Sequence, residues 1–256
     1  MQGIECRSNL KNKMINIKID GQELEAKEGQ TILEVAREKG IDIPTLCYHE
    51  NLASYGACRL CSVEIFTGTR SRIVASCLYP VEEGLEVETN SPRVINNRKM
   101  LMDLLLARCA QNEVIKKLAS EIGIEQASFK PEYSENNDCI LCGLCVRTCE
   151  QIVEVSAISQ VSRGVKREVA TPFFERSQVC IGCGSCAYIC PTGAIKMEDN
   201  EDMRVIHSSN WKWKTEFKLK KCDVCGNYWA PEAQLEYITK KLNLPPDFFD
   251  ICPNCR

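Results

Sequence analysis

Residues 14–20, Met-Ile-Asn-Ile-Lys-Ile-Asp, alternate apolar and polar side chains, the period-two pattern of a half-buried strand. Asp20-Gly21 is a hairpin-turn pair, so residues 23–27 are expected to return antiparallel. Thr31-Ile32-Leu33-Glu34 has the form of a capping box and predicts a helix that Gly40 ends. Two further strands are expected at 61–66 and 72–77. From residue 93 the period lengthens. Val94, Leu101, Leu104 and Leu105 predict a helix over 93–109, and Val114, Ile115, Leu118 and Ile122 a second, stopped by Gly123. A strand is expected at 164–169 and a helix at 231–242. Between them, residues 211–221 alternate again, with one aromatic and one basic face.

A length of 256 residues suits two or three small domains. The net charge of −3 gives no nucleic-acid footprint. No run of ~18 apolar residues predicts a membrane span. The 18 cysteines change the picture most. The first twenty residues lack the apolar core of a secretory signal, so a reducing, cytoplasmic setting is expected, where clustered cysteines bind metal rather than pair as disulfides. The two histidines, His49 and His207, leave little room for histidine-ligated metal or acid–base catalysis.

The strongest signal is a repeat. Cys139, Cys142, Cys145 and Cys149 have the C-x2-C-x2-C-x3-C spacing, and Cys180, Cys183, Cys186 and Cys190 have it again. In two-cluster ferredoxins three cysteines of a run hold one [4Fe–4S] cluster and the fourth crosses to the other. The first cluster then takes Cys139, Cys142, Cys145 and Cys190, and the second takes Cys180, Cys183, Cys186 and Cys149. Gly143, Gly182 and Gly184 allow the tight turns this wrapping needs. Pro191 follows Cys190 as the pattern expects, whereas Glu150 follows Cys149.

Cys47, Cys58, Cys61 and Cys77 form a second set. Its last three members match the plant-type [2Fe–2S] spacing, with a first gap of ten residues in place of four. His49 is read as a loop residue or tuner, not a Rieske ligand. Cys222 and Cys225, with Cys252 and Cys255, form two CxxC knuckles fit for a tetrahedral four-sulfur site. Zinc is the first reading there; a rubredoxin-like iron or a further iron–sulfur cluster are the alternatives. The fold expected is therefore α+β. A leader (1–13) precedes a β-grasp [2Fe–2S] domain (14–92) and a helical connector (93–130). A bacterial-type 2[4Fe–4S] ferredoxin domain (131–210) and a zinc-ribbon or rubredoxin-like module (211–256) follow.

The stretch from Thr45-Leu46-Cys47-Tyr48-His49 through Cys77, with the order of the later sets, is similar to the N-terminal part of the large iron–sulfur subunit of NADH dehydrogenase. It also resembles the N-terminal domains of [FeFe] hydrogenases and the small diaphorase subunit of NAD-linked hydrogenases, over roughly residues 14–200. Those relatives carry a histidine-ligated [4Fe–4S] site after the Leu-rich helix. Here Leu104 to Glu113 holds no histidine and Cys109 stands alone, so that site is expected to be absent. Cys109 is then a buried or semi-buried thiol, and Cys6 has no ligand role.

No GxGxxG, P-loop or Ser–His–Asp set is present, so no catalytic residue is assigned. The resemblance implies a non-catalytic relay subunit of an oxidoreductase complex. Its partners would be a flavin- and NAD(P)-binding diaphorase-type subunit, a hydrogenase or formate dehydrogenase catalytic subunit, and ferredoxin. A free-standing multi-cluster ferredoxin shuttle is the alternative. The strip from Trp211 to Lys221 reads either as an edge strand guarded by lysines or as a docking strip for a partner subunit or an acidic ferredoxin.

Overall fold

The computed structural model describes residues 13–130, 137–208 and 214–256. Cys6 and Trp211 to Trp213 lie outside them. β1 (Met14–Ile19) buries Ile15, Ile17 and Ile19 and exposes the residues between, and β2 (Gln22–Lys27) returns antiparallel to it. α1 (Ile32–Glu38) starts at the expected box: the Thr31 hydroxyl accepts the Glu34 N–H at 3.3 Å, and the Glu34 carboxylate accepts the Thr31 N–H at 2.7 Å. β3 (Ser62–Thr67), β4 (Arg70–Ala75) and β5 (Leu85–Glu88) complete a five-stranded sheet in the order β2-β1-β5-β3-β4.

β5 has no counterpart among the strands expected from the sequence. Its four residues carry only two inward positions, Leu85 and Val87, too short a pattern to register. It nevertheless joins the sheet's halves, pairing parallel with β1 and antiparallel with β3. Ile32, Leu33, Val35 and Ala36 of α1 share one core with Ile17, Ile19, Val63 and Ile65, and Cys61 and Cys77 belong to that same core.

α2 (Pro92–Arg108) starts with Ser91, whose hydroxyl accepts the Val94 N–H at 3.3 Å, and with Pro92 in the first turn, where no N–H is needed. Its buried face differs from the expected stripe. Val94, Met102, Leu106 and Ala107 are buried, while Leu104 is 47% exposed. Leu104 is two residues from both Met102 and Leu106, roughly 200° round the helix, so it faces the other way. α3 (Glu113–Glu121) buries Ile115 and Ala119.

The chain divides into two compact units, residues 1–110 with 115–132, and residues 111–114 with 133–256. In the second unit, α4 (Leu144–Gln151) precedes a small hairpin of β6 (Ser159–Val161) and β7 (Glu168–Ala170). The strand expected at 164–169 is shifted: Gly164–Lys166 is a 3₁₀ turn, and only the last part pairs. α5 (Ser185–Tyr188) follows. β8 (Ile195–Asn200), β9 (Met203–Ser208), β10 (Thr215–Lys221) and β11 (Tyr228–Pro231) then form an antiparallel sheet in the order β11-β10-β9-β8, and α6 (Glu232–Leu242) packs on β10.

β10 corrects the edge-strand reading, because it has β9 on one side and β11 on the other. Its apolar face is spent on the interior, with Phe217 and Leu219 each 2% exposed. The lysines of its other face meet local acids: Lys214 with Glu216, Lys218 with Glu232 and Lys220 with Asp250. No described helix is long and apolar enough to cross a membrane.

Candidate metal centres

The first four thiols come from three places in one unit. Cys47 follows α1, Cys58 and Cys61 lie in the loop before β3, and Cys77 follows β4. The sheet brings them together. The Cys61 and Cys77 Sγ atoms are 3.4 Å apart, and the Cys58 N–H donates to the Cys47 Sγ at 3.4 Å. All four are buried. Gly56, at φ +68°, lets the Leu78 side chain close over the loop between Cys47 and Cys58, since a Cβ there would lie 2.4 Å from it. The hydrogen bond from Cys77 lowers the Cys61 thiol to about 6 and raises Cys77 itself; the hydrogen bond to Cys47, with burial, raises Cys58. Of these three buried thiols Cys61 alone is lowered, and a bound cationic iron centre would favour ionisation of the rest. His49 caps a turn, its Nδ1 accepting the Asn51 N–H at 3.2 Å.

The cysteine repeat is also a backbone repeat. Leu141 (φ 55°) and Gly143 (φ 73°) flank Cys142, and Gly182 (φ 70°) and Gly184 (φ 76°) flank Cys183. Each left-handed glycine before a short helix turns successive N–H groups into a concavity suited to sulfide and thiolate. The charges acting on each thiol give the neighbourhoods. Burial raises Cys145, with Cys142, Cys139, Cys186 and Cys190 adding to it. Burial pushes Cys186 up to about 12, with Cys183, Cys180 and Cys149 adding to it. Cys149 is likewise raised by burial, with the charge of Cys183 adding to it, and the Ala157 N–H donates to its Sγ at 3.2 Å. Cys149 thus acts on Cys180 and Cys186 of the second run, while Cys145 of the first run feels both Cys186 and Cys190.

Three supports of these loops escape sequence reading. Buried Asn112 donates from Nδ2 to Asp138 Oδ1 and to the Thr192 carbonyl, both at 2.9 Å, so one amide ties the residue before Cys139 to the turn after Cys190. Arg204, 9% exposed, forms a two-point pair with Asp199 at 2.7 Å and reaches the Gly182 carbonyl at 3.3 Å. The Phe217 ring lies where a Gly182 side chain would go, 2.6 Å from an ideal Cβ, with Arg176 4.9 Å over its centroid. Only the glycine signals any of this, since contacts across 22 to 80 positions leave no local pattern.

Cys222, Cys225, Cys252 and Cys255 form the third set, with all four Sγ atoms within 4.8 Å of one another. A tetrahedral zinc with Zn–S of ~2.3 Å needs sulfurs ~3.8 Å apart, so a small contraction seats the ion. Backbone N–H groups of Cys225 and Cys252 lower the Cys222 thiol to about 6, the latter donating to Cys222 Sγ at 3.3 Å. Hydrogen bonds with Cys225 and Cys252 push Cys255 up to about 12. Gly226 (φ 73°) turns the first knuckle, its N–H reaching the Cys222 carbonyl at 2.9 Å. Cys109 is fully buried at the end of α2, its N–H bonded to the Leu105 carbonyl at 2.9 Å, and none of the described cysteines forms a disulfide.

These sets coincide with known domains. Residues 12–92 match the 2Fe-2S iron-sulfur cluster binding domain, and residues 138–194 match the 4Fe-4S dicluster domain. The chain is an iron–sulfur protein. Its relatives include the NADP-reducing hydrogenase subunit HndD of Solidesulfovibrio fructosivorans, 35% identical over 71% of this chain and 36% of the relative. An NADH-quinone oxidoreductase subunit from Rhizobium meliloti is 33% identical over 71% of this chain and 24% of the relative. Another, from Rickettsia prowazekii, is 30% identical over 90% of this chain and 36% of the relative. The iron–sulfur chain thus spans about a quarter to a third of the length of these curated relatives. A chain of a solved NAD+-reducing [NiFe]-hydrogenase in the H2-reduced state superposes with a TM-score of 0.61 at 29% identity, covering 70% of this chain and 85% of that one.

Proposed function

We propose that this iron–sulfur chain is a cytoplasmic electron-relay subunit. It would pass single electrons between a flavin- and NAD(P)-binding diaphorase-type subunit and a catalytic subunit of hydrogenase or formate dehydrogenase type, with ferredoxin as a further partner. The observation that carries this reading is the presence of two iron–sulfur cage types in one chain whose relatives are named as subunits of NAD(P)-linked hydrogenases and NADH-quinone oxidoreductases. Bound in such cages, iron–sulfur clusters supply one-electron chemistry at potentials set by burial and hydrogen bonds to sulfur.

In this reading Cys47, Cys58, Cys61 and Cys77 hold a [2Fe–2S] cluster, and the order β2-β1-β5-β3-β4 supports the β-grasp assignment for the domain around them. Cys139, Cys142, Cys145 and Cys190 hold one [4Fe–4S] cluster, and Cys180, Cys183, Cys186 and Cys149 the other. The charge of Cys149 on Cys180 and Cys186 supports the crossing of that ligand, and the matching spacing of the two runs extends it to Cys190. The C-terminal knuckles hold a structural zinc. Two sets of contacts favour support over electron transfer there. Phe217 of β10 underlies the Gly182 loop, and α6 grips the turn after Cys149 through Tyr237, whose hydroxyl donates to the Val153 carbonyl at 3.2 Å, and through the Lys241–Glu154 pair at 2.5 Å.

Metal analysis of the anaerobically purified chain tests the count. About ten irons with one zinc is expected. About eleven irons without zinc makes the knuckles a rubredoxin-like centre, and about fourteen a third cubane. Gentle native purification tests the relay role. A chain that copurifies with a flavoprotein and a hydrogenase-type subunit supports it, and a lone monomer that cycles electrons with free partners overturns it.

A further inference from the structure

We infer that Arg98 is a positioning residue for the [2Fe–2S] cage, a fixed cation that grips the Cys61 peptide and favours the reduced state of the cluster. The inference rests on the assignment of Cys47, Cys58, Cys61 and Cys77 as that cluster's ligands. Arg98 stands on α2, beyond residue 92 where the matched domain ends, and reaches back into it. Its Nε donates to the Leu60 carbonyl at 3.0 Å and its Nη2 to the Ser62 carbonyl at 2.8 Å. The residue between those carbonyls is Cys61. The Cys61 carbonyl accepts the Ser76 N–H at 3.1 Å, so three consecutive carbonyls are engaged, two of them by one guanidinium. Nη1 is fixed in turn on Asn90 Oδ1 at 3.1 Å.

The fork geometry needs arginine. A planar guanidinium spans two carbonyls two residues apart in sequence, which a single ammonium cannot do in the same arrangement. The grip also holds a strained turn, because Arg59, next to Leu60, has φ +60° without being glycine. Electrostatics supply the second half of the role. Leu60 and Cys61 are 3% and 1% exposed, so water screens little there. Reduction adds one negative charge to the buried cage, and a cation held against the ligand's own peptide lowers the energy of that state. Nothing in the local sequence links Arg98 to Cys61, which lies 37 positions away by the numbering.

The test is an EPR-monitored redox titration of the full chain, prepared anaerobically, as wild type, Arg98→Gln, Arg98→Lys and Lys99→Gln. Lys99 is the exposed neighbour on the same helix and controls for net charge. Arg98→Gln is expected to shift the [2Fe–2S] reduced-to-oxidised ratio at a fixed potential about tenfold toward oxidised, equivalent to ~59 mV for one electron. Both cubane potentials stay put, and Lys99→Gln moves none of the three. Arg98→Lys gives a smaller shift with altered g-values. An Arg98→Gln chain titrating like wild type overturns the inference, as does an equal shift in Lys99→Gln. Where Arg98→Gln fails to retain the cluster, Arg98→Lys decides, and identity with wild type in both potential and spectrum overturns it. A wild-type chain without a [2Fe–2S] signal removes the ligand assignment and this inference with it. A wild-type signal with an unmoved Gln variant removes the inference alone.

Discussion

The first and last cysteine sets each contain four thiols and differ in almost everything else. Cys47, Cys58, Cys61 and Cys77 are 1% to 8% exposed, and Cys61 and Cys77 belong to the core made by α1 and the five-stranded sheet. In the last set Cys225 is exposed, and two short turns, each closed by its own backbone bond, meet through the Cys252 N–H on Cys222 Sγ. The first cage is thus a product of a finished core, and its ligands meet only when distant strands pair. The second takes two thiols from each knuckle and needs only the approach of two turns. On the crossed ligation proposed above, the dicluster site stands between them, with local runs of three cysteines and one distant ligand each. The general lesson is that the reach of its ligands sets how much of the surrounding fold a metal site depends on.

Four expectations test that ordering, the largest effect first. Cys190→Ala removes a distant ligand and should cost the cluster held by Cys139, Cys142 and Cys145, about four irons by analysis. Loss of the other cubane's EPR signal in its place contradicts the crossed assignment. Cys222→Ser should come next. Zinc-finger peptides gain roughly 10–16 kcal/mol from their metal, so the second unit should lose its zinc and its thermal transition should fall steeply. The [2Fe–2S] absorption, belonging to the first unit, should persist at the original melting temperature, and joint loss of both contradicts the separation.

A glycine pair sharpens the comparison further. Gly182→Ala sets a Cβ against the Phe217 ring at 2.6 Å in a left-handed backbone, whereas Gly193→Ala at φ +64° meets nothing within 4 Å. The first should cost about 2–4 kcal/mol and the second about 1 kcal/mol in denaturant titrations, since only the first adds overpacking to backbone strain. Equal costs argue that Phe217 does not brace the loop. The smallest effect concerns acid. Buried Glu64 on β3 accepts from Ser91 Oγ at 2.6 Å and pairs with Arg93 at 2.5 Å. Hydrogen bonds from Ser71 and Ser91, then Arg93, hold its carboxyl below its ordinary 4.5. Its stabilising effect is therefore complete above that ordinary value and fades as pH falls through the lowered one. Glu64→Gln should cost on the order of 1–2 kcal/mol at pH 7 and converge with wild type in acid, read as melting temperature against pH.

Much of this is legible in the cysteine spacing and the alternation at 14–19, because both are local codes. The Thr31–Glu34 box is equally local and forms as expected. The departures have a common cause. β5 has too few residues to carry a period. The expected α2 stripe runs through Leu104 because leucine outranks methionine and alanine by apolarity, whereas the helical geometry chooses Met102 and Ala107. The strand at 215–221 looks like an edge because alternation says nothing about how many neighbours a strand has. Asn112, Arg204 and Arg98 leave no trace in the sequence pattern, since each acts on residues far along the chain.

The pairing of β10 with β9 carries a practical consequence for dissecting this molecule. A fragment trimmed after the dicluster motif, near residue 208, would leave the outward hydrogen-bonding groups of β9 bare. Such a fragment would also uncover the hollow under Gly182 that Phe217 fills. Exposed strand edges of that kind recruit other chains, so the trimmed protein should precipitate or dimerise in the expression host. Anyone seeking a minimal two-cubane ferredoxin from this sequence should carry the chain through to Arg256.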